Sequence, residues 1–365
     1  MKSTITYEHI YGCLMGTALG DSMGLPFEGL SRKKIAKKKF DFKRQHLFLK
    51  RGFFSDDTEQ TILVAQTLIE SYDDEVSFQK KMRKKLQYWL SALPAGVGMA
   101  TLRSIGRSFF LKNPAVFSAG NAPAMRCAIL GVLFGDDNKK LQKMIHINTK
   151  LTHDDPKAYF GALSVGVASY LSMIGEEETF FDKMKALVED EEFRELLDNV
   201  QNHLTLSSVE FAKKLGLEKE VGGYIYHTLP MVLHVWLKDI VQNVSESEAS
   251  APNKARLKPS IPNTEHFEQA IIEMIQCGGD TDTTSAILGA IIGAKGDPLP
   301  QRWIEGIVDY PLSVKLIDEV SLRLTKCVIQ KTPQKPLWIP YPFVLLRNMV
   351  FLLIVLIVFI VREVV

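Results

Sequence analysis

Two short acidic turns stand directly ahead of apolar stretches in this chain. The first acidic turn is residues 55–58, with the sequence SDDT, and the second acidic turn is residues 280–283, with the sequence DTDT. Serine or aspartate often begins a helix because its side-chain oxygen accepts hydrogen bonds from free backbone N–H groups. Capping needs one carboxylate, whereas each turn carries two with hydroxyl groups beside them. The pattern predicts a site, and simple capping stays the alternative.

The chemistry of such a site depends on whether the two turns meet. Carboxylates brought within a few ångströms raise one another's pKa values unless cations neutralise them. Carboxylate and hydroxyl oxygens favour hard divalent cations, so Mg²⁺ or Mn²⁺ is expected rather than zinc.

The segments that position these turns are predicted to be helices. Apolar residues recur at helical spacing through most of the chain, and no series of alternating strands with hairpin turns competes with them. Small residues such as Gly12, Gly16 and Gly20 interrupt the first helix, at a cost of roughly 0.5–1 kcal/mol each that a close helix approach would offset. We predict an all-α fold, with an exposed loop at residues 243–263.

Composition excludes several classes of protein. The 365 residues are 46% hydrophobic and 24% charged, as in a globular chain of one large or two ordinary domains. A net charge of +2 gives no reason to expect a nucleic acid as partner. Four widely spaced cysteines without a CxxC pair argue against a zinc ribbon and fit a reduced, cytosolic setting.

Six motifs together resemble one known family. They are GCLMGTALGDSMGLPFEG, SDDTEQT, GNAPAMR, LTHDDP, GGYIYHTLP and GGDTDTT, in this order between Tyr7 and Gly296. This order is similar to that of the ADP-ribosylglycohydrolases, which include the dinitrogenase reductase-activating glycohydrolase. The resemblance implies a single compact orthogonal helical domain that binds two Mg²⁺ ions, with Mn²⁺ as a substitute, between the two acidic turns. It implies as metal ligands Ser55, Asp56, Asp57, Asp280, Asp282 and Thr283.

The same resemblance assigns the remaining site residues. Glu28 and Asp57 are implied as catalytic, and a carboxylate at Glu28 can stabilise the oxocarbenium-like centre or orient water. The implied substrate-binding residues are Gly120, Asn121, Ala122, Met125, His153 and Tyr224. A capping or core role is the alternative for His153, and a core role for Tyr224.

The family suggests the reaction. We expect hydrolysis of the N-glycosidic bond of ADP-ribosylarginine, with an ADP-ribosylated protein and ADP-ribose as partners. One alternative keeps the fold and changes the bond to O-linked ADP-ribosylserine or a free ADP-ribose derivative. The other is a catalytically silent ADP-ribose-binding module.

The C-terminal region departs from the family. A catalytic domain at residues 1–330 is followed by a Pro-rich connector at 331–342 and a hydrophobic tail at 343–365. The uninterrupted apolar run from Met349 to Val361 spans only about 20 Å as a helix, against about 30 Å for a bilayer core. Extension to Phe343 includes Arg347, whose side chain can reach towards a membrane surface. We predict a short membrane anchor through residues 343–361 that holds a cytosol-facing body; a buried closing helix or strand is the alternative.

Overall fold

Helices make up most of the described part of the chain. The computed structural model describes residues 4–38, 40–249 and 263–364, and within them only isolated β-bridges and no strands occur. The all-α prediction is therefore confirmed. Two 3₁₀ turns lie at Leu25–Phe27 and Glu177–Thr179. The α-helices are α1 (Tyr7–Gly24), α2 (Arg32–Lys37), α3 (Asp56–Ser71), α4 (Glu75–Ser91), α5 (Met99–Ser108), α6 (Ala122–Met125), α7 (Ala128–Phe134), α8 (Asn138–Lys150), α9 (Pro156–Ile174), α10 (Phe180–Leu187), α11 (Glu191–Gln201), α12 (Ser208–Lys214), α13 (Ile225–Ala249), α14 (Asn263–Gln276), α15 (Thr281–Gly293), α16 (Gln301–Ile304), α17 (Val314–Gln330) and α18 (Tyr341–Val364).

Helices α1 and α15 form the centre of the fold and pack with their backbones in contact. A methyl group built on Gly16 would lie 2.1 Å from the carbonyl oxygen of Gly289, and one on Gly20 would lie 2.0 Å from that of Ser285. Real side chains do not approach this closely, so only glycine fits. The interior glycines of the first helix therefore serve the close helix approach that the sequence predicted.

The other helices differ in how much of their surface is buried. Helix α3 is buried along almost its whole length, and α9 is also largely buried. Helices such as α4, α11 and α17 bury one apolar face and expose a polar one. Helix α13 continues to Ala249, so residues 243–249 of the predicted loop are helical; residues 250–262 lie outside the described part.

The C-terminal region lies along the helical body. In the connector, the backbone N–H groups of Gln334 and Leu337 donate to the carbonyl of Ile69 and the side chain of Gln66 on α3. Helix α18 then begins at Tyr341 and is, in the described part, the one helix long and apolar enough to cross a membrane, although 28% of its most apolar window is buried. The expectation that Arg347 reaches out to a membrane surface is wrong, because its side chain is only 5% exposed and pairs with carboxylates of the body.

The close contact of α1 and α15 can be tested at Gly16. Gly16→Ala must push the two helices apart, and such overpacking typically lowers the free energy of unfolding by about 1–3 kcal/mol. The matched control is Gly106→Ala in α5, where nothing lies within 4 Å of the added methyl group. There the loss of backbone entropy in the unfolded chain should stabilise by about 0.5–1 kcal/mol. The free energies of unfolding of both variants are measured with denaturant. Equal changes in the two variants would contradict a backbone contact between α1 and α15 that requires glycine at position 16.

Candidate active site

The first acidic turn is held in place by groups that leave its aspartates available. Ser55 is the N-cap of α3 and accepts a hydrogen bond from the N–H of Asp57 at 3.2 Å. Asp21, fully buried on α1, accepts from the N–H groups of Ser55 at 2.9 Å and Thr58 at 3.2 Å. Because Ser55 and Asp21 satisfy the free N–H groups of this helix end, Asp56 and Asp57 are not needed as caps.

The second acidic turn follows two glycines with left-handed backbone conformation. Gly278 and Gly279 have φ values of 70° and 88°, and a methyl group on Gly279 would lie 2.1 Å from the carbonyl oxygen of Val221. Asp280 occupies the N-cap position of α15, but its side chain accepts no capping hydrogen bond from the backbone. Its Oδ2 instead accepts a hydrogen bond from the side-chain amide of Asn121 at 2.7 Å. Simple capping therefore does not account for this turn either.

The two acidic turns meet at the N-terminal ends of α3 and α15. The Thr283 hydroxyl donates to Asp57 Oδ2 at 3.2 Å and so joins them directly. Carboxylate oxygens of Asp21, Asp57 and Asp282 all lie within 4.8 Å of one another. The positive ends of both helix dipoles point to this cluster and favour its negative charge.

Burial and mutual repulsion oppose ionisation of these carboxyl groups. Burial raises the pKa values of Asp56, Asp57 and Asp282 well above the ordinary value, and the neighbouring carboxylates raise them further. Burial also raises the pKa of Asp21 to about 6, although the hydrogen bonds from Thr58 and Ser55 oppose the rise. A cation would remove the repulsion and allow all of these groups to ionise.

The donor set fits a divalent metal ion. Asp57 Oδ1 and Asp282 Oδ1 are buried and have no hydrogen-bond partner among the described residues. An unpaired buried carboxylate oxygen is costly, and a metal ion would satisfy both. With carboxylate and hydroxyl oxygens around them, the buried aspartates can bind a hard cation such as Mg²⁺.

Glu28 lies on the rim of this cluster. The segment that carries it is held against the second acidic turn, because Gly29 N–H donates to the Gly279 carbonyl at 2.8 Å and Gly279 N–H donates to the Leu30 carbonyl at 2.9 Å. The Glu28 side chain is exposed, and its charge contributes to the raised pKa of both Asp56 and Asp282. It therefore combines access to solvent with proximity to the acidic cluster.

Several of the predicted substrate-binding residues lie beside the second acidic turn. Gly120 forms an antiparallel bridge with Tyr224, and Asn121, next in the chain, donates from its side chain to Asp280. Ala122 is half-buried at the start of α6. Tyr224 is 38% exposed and lines a cleft of about 370 Å³ together with Phe117, Ala119, Asp155, Pro156, Lys157, Phe160 and Asp190.

Two predicted substrate-binding residues lie below the surface. Met125 is 3% exposed and packs in the main core. His153 is 1% exposed, and a methyl group on Gly120 would lie 3.0 Å from its Nε2. Burial, aided by the nearby Arg126 charge, lowers the pKa of His153 to about 3, so its ring is neutral at physiological pH. His153 supports the Gly120 backbone from beneath, and a direct contact of either residue with substrate stays a prediction.

Sequence reasoning missed three supporting residues. Asp21 was visible only as part of the GDSMG motif, although an aspartate in the middle of an apolar helix signals a buried polar contact. Gln60 donates to Asp56 Oδ2 at 3.1 Å and accepts from Arg126 at 2.6 Å. Arg126 is fully buried and lies far from the first acidic turn in sequence, so nothing local indicated this link.

Comparison with known proteins points to one family. A family model described as ADP-ribosylglycohydrolase matches residues 2–332. An ADP-ribosylhydrolase ARH3 from Gallus gallus is 27% identical, with 85% of this chain and 91% of the relative covered. An ADP-ribosyl-[dinitrogen reductase] glycohydrolase from Rhodospirillum rubrum is 24% identical, with 83% of this chain and 92% of the relative covered.

A solved structure supports the same fold. A chain described as an ADP-ribosylglycohydrolase-related protein complex superposes with a TM-score of 0.63 at 21% identity, covering 88% of this chain and 98% of that chain. With the family model spanning most of the sequence, the acidic turns and the helical fold have a common explanation: the chain belongs to the ADP-ribosylglycohydrolase family.

Proposed function

We propose that this protein is a metal-dependent hydrolase that removes ADP-ribose from modified arginine side chains of proteins. The observation that carries the proposal is the meeting of the two acidic turns, with unpaired carboxylate oxygens at their centre and Glu28 on their rim. In this proposal residues 1–330 form the catalytic domain, followed by the connector at 331–342 and the apolar helix.

The proposed cofactors are two Mg²⁺ ions, for which Mn²⁺ can substitute. Their proposed ligands are Ser55, Asp56, Asp57, Asp280, Asp282 and Thr283. Such ions would neutralise the acidic cluster and would supply Lewis acidity to oxygen atoms of the ribose or of water.

The chain's own residues are assigned separate roles in the reaction. Water replaces the arginine nitrogen at the anomeric carbon of the ribose, and positive charge develops at that carbon as the glycosidic bond breaks. Glu28, exposed at the rim, stabilises this charge or orients the water. Asp57 has one oxygen fixed by Ser55 and Thr283 and a second oxygen without a partner, so it is held in a single orientation at the centre of the site.

The segments beside the acidic cluster are proposed to bind the ADP-ribose. Asn121 links the Gly120 segment to the second acidic turn, so a nucleotide held there would place its ribose near Glu28. The exposed face of Tyr224 offers a stacking surface for a ribose or a base. Ala122 stands beside these contacts, while Met125 and His153 support them from within.

The charge of the cleft favours arginine as the attachment point. ADP-ribosylarginine carries a cationic guanidinium at the attachment point, which the exposed Glu28 carboxylate attracts, and the proton of the attacking water passes to the departing nitrogen. ADP-ribosylserine is neutral at the attachment point and gains nothing from that attraction. O-linked ADP-ribosylserine is therefore the second candidate substrate, and free ADP-ribose derivatives remain in the same class.

We further propose that the exposed side of α18 rests on a lipid surface. Its outward residues include Leu346 and Leu353, each 58% exposed, and Met349, 60% exposed. Exposed Leu49 and Lys50 belong to the segment that packs beneath this helix. Because the other side of α18 is packed on the body, the helix is expected to lie in the plane of the membrane interface rather than to cross it. The body would then face the cytosol.

The metal site can be tested with Asp57→Asn, which keeps the shape of the side chain and removes its charge. We expect Mg²⁺-dependent hydrolysis and the rise in melting temperature caused by Mg²⁺ or Mn²⁺ to be lost together, because a charged ligand is missing. Asp198→Asn on the exposed surface of α11 is the matched control. Full turnover of the unmodified protein in EDTA would contradict the proposal.

The reaction can be tested with the full-length protein and two substrates, one ADP-ribosylated on arginine and the other on serine. We expect faster release from arginine. Glu28→Gln should lower kcat by about 10²–10⁴-fold, as for loss of an acid–base group, with ADP-ribose binding retained.

Each other outcome of this experiment has a defined meaning. Faster release from serine would replace arginine by the second candidate. Loss of ADP-ribose binding in Glu28→Gln would make Glu28 a structural residue. Binding of ADP-ribose without release from either substrate would indicate a silent binding module.

The lipid proposal can be tested by flotation of the full-length chain with phosphatidylcholine vesicles, with and without phosphatidylserine. We expect binding that persists at high salt, since insertion of apolar side chains is insensitive to charge screening. Changing Leu346, Met349 and Leu353 to serine should abolish it, whereas Val209→Ser on the exposed surface of α12 should not. A soluble dimer that dissociates in the triple variant would assign this face to a second copy of the chain instead.

A further inference from the structure

One side of α18 packs on the body around the first acidic turn. The buried residues on this side recur every three or four positions and are Val344, Arg347, Asn348, Phe351 and Ile354. The helix lies beyond residue 332, where the match to the family model ends. It therefore lies outside the family-model match and reaches the neighbourhood of the proposed active site.

Arg347 contacts the residue that precedes the first acidic turn. Its guanidinium donates to the carbonyl oxygen of Phe54 at 2.6 Å and to Asp309 Oδ1 at 2.8 Å. Asp309 in turn accepts a hydrogen bond from the N–H of Phe54 at 3.0 Å. Both backbone polar groups of Phe54 are thus fixed by one ion pair. Ser55, the cap of α3, is the next residue in the chain.

The same guanidinium also holds the first turn of α3. It donates to Glu59 Oε1 at 2.5 Å, and the other oxygen of Glu59 accepts from the Trp89 indole at 2.5 Å. The three charged side chains are almost completely buried, at 5% exposed for Arg347, 2% for Glu59 and 0% for Asp309. The planar guanidinium spreads its donors over three nitrogen atoms and so reaches these separate partners at once, whereas the donors of a lysine all share one nitrogen atom.

Other residues of α18 reach two further segments at the edge of the acidic cluster. Asn348 donates to the carbonyl oxygen of Ala92 at 2.8 Å, and a methyl group on nearby Gly96 would lie 3.4 Å from Asp56 Oδ1. Phe351 and Ile354 pack with Leu25, in the 3₁₀ turn that leads to Glu28. Helix α18 therefore contacts residues next to the first acidic turn, residues next to Asp56 and the 3₁₀ turn that leads to Glu28.

We infer that Arg347 is a positioning residue for the proposed metal site, and that α18 supports the catalytic domain although it lies outside that domain and outside the family match. The inference rests on the proposed function. Removal of the guanidinium would release the Phe54 carbonyl and leave Glu59 and Asp309 as unpaired buried charges next to an already acidic cluster. The first acidic turn would then lose its fixed position relative to the second.

The experiment compares full-length Arg347→Met and Arg347→Lys with the unmodified protein. Mn²⁺ affinity is measured by titration calorimetry without substrate, and kcat and KM are measured separately, at a temperature where circular dichroism shows every variant folded. We expect Arg347→Met to bind Mn²⁺ about 10–100-fold more weakly, as is typical when a residue supporting metal ligands is lost. Arg347→Lys keeps the charge without the planar fork, so it should lose less affinity than Arg347→Met.

The matched control is Val344→Ala, one turn earlier on the same buried side of α18. It removes packing but no polar contact with the first acidic turn, so it should lower the melting temperature and leave Mn²⁺ affinity unchanged. Unchanged Mn²⁺ affinity and kcat in a folded Arg347→Met, or in Arg347→Lys where Arg347→Met does not fold, would overturn the inference alone. If the unmodified protein binds no Mn²⁺ and releases no ADP-ribose, the proposed function fails and the inference fails with it.

Discussion

The contact between α1 and α15 is the constraint on which the site depends. Their backbones touch at Gly16 and Gly20, which leaves no freedom for one helix to slide along the other. Asp21 follows directly on α1, and Asp282 lies in the first turn of α15. The close packing therefore fixes the distance between two of the buried carboxylates before any metal is bound. Dispersion forces in a tightly packed interface provide the energy for this arrangement.

Burial of several carboxyl groups in one cluster is unfavourable, and helix dipoles and hydrogen-bond donors directed at the cluster offset part of this free energy. Burial opposes ionisation of its aspartates, yet the ends of α3 and α15 and the amide of Asn121 all present positive charge to it. Two carboxylate oxygens still have no partner in the described structure. A site of this kind is incomplete without a cation, which is the physical basis of the proposed metal dependence.

The C-terminal helix α18 contributes a buried positive charge close to the acidic cluster. Arg347 places a positive charge beside the first turn of α3, close to Glu59 and Asp309. One side of the helix is thus bound to the body by buried polar contacts, while Leu346 and Met349 on the other side are exposed. This division explains how a segment composed like a membrane span can belong to the folded body.

The fold class, the type of metal ligand and the close helix contact could all be predicted from the sequence alone. Helical periodicity determined the all-α fold, because an apolar face repeats at every turn regardless of its neighbours. The paired aspartates of the two turns indicated hard-cation chemistry, because their residue types alone set the donor atoms. The glycines of α1 indicated a close helix contact, which the structure places against α15.

Only the tertiary structure decided which distant residues share an environment. Arg126 supports Asp56 through Gln60, and Arg347 holds Phe54, across separations that no periodic pattern records. An arginine in an apolar run has the same local sequence whether it faces a membrane surface or a buried carboxylate. Its partner is chosen by the path of the whole chain, because desolvation and pairing depend on three-dimensional neighbours rather than on sequence neighbours.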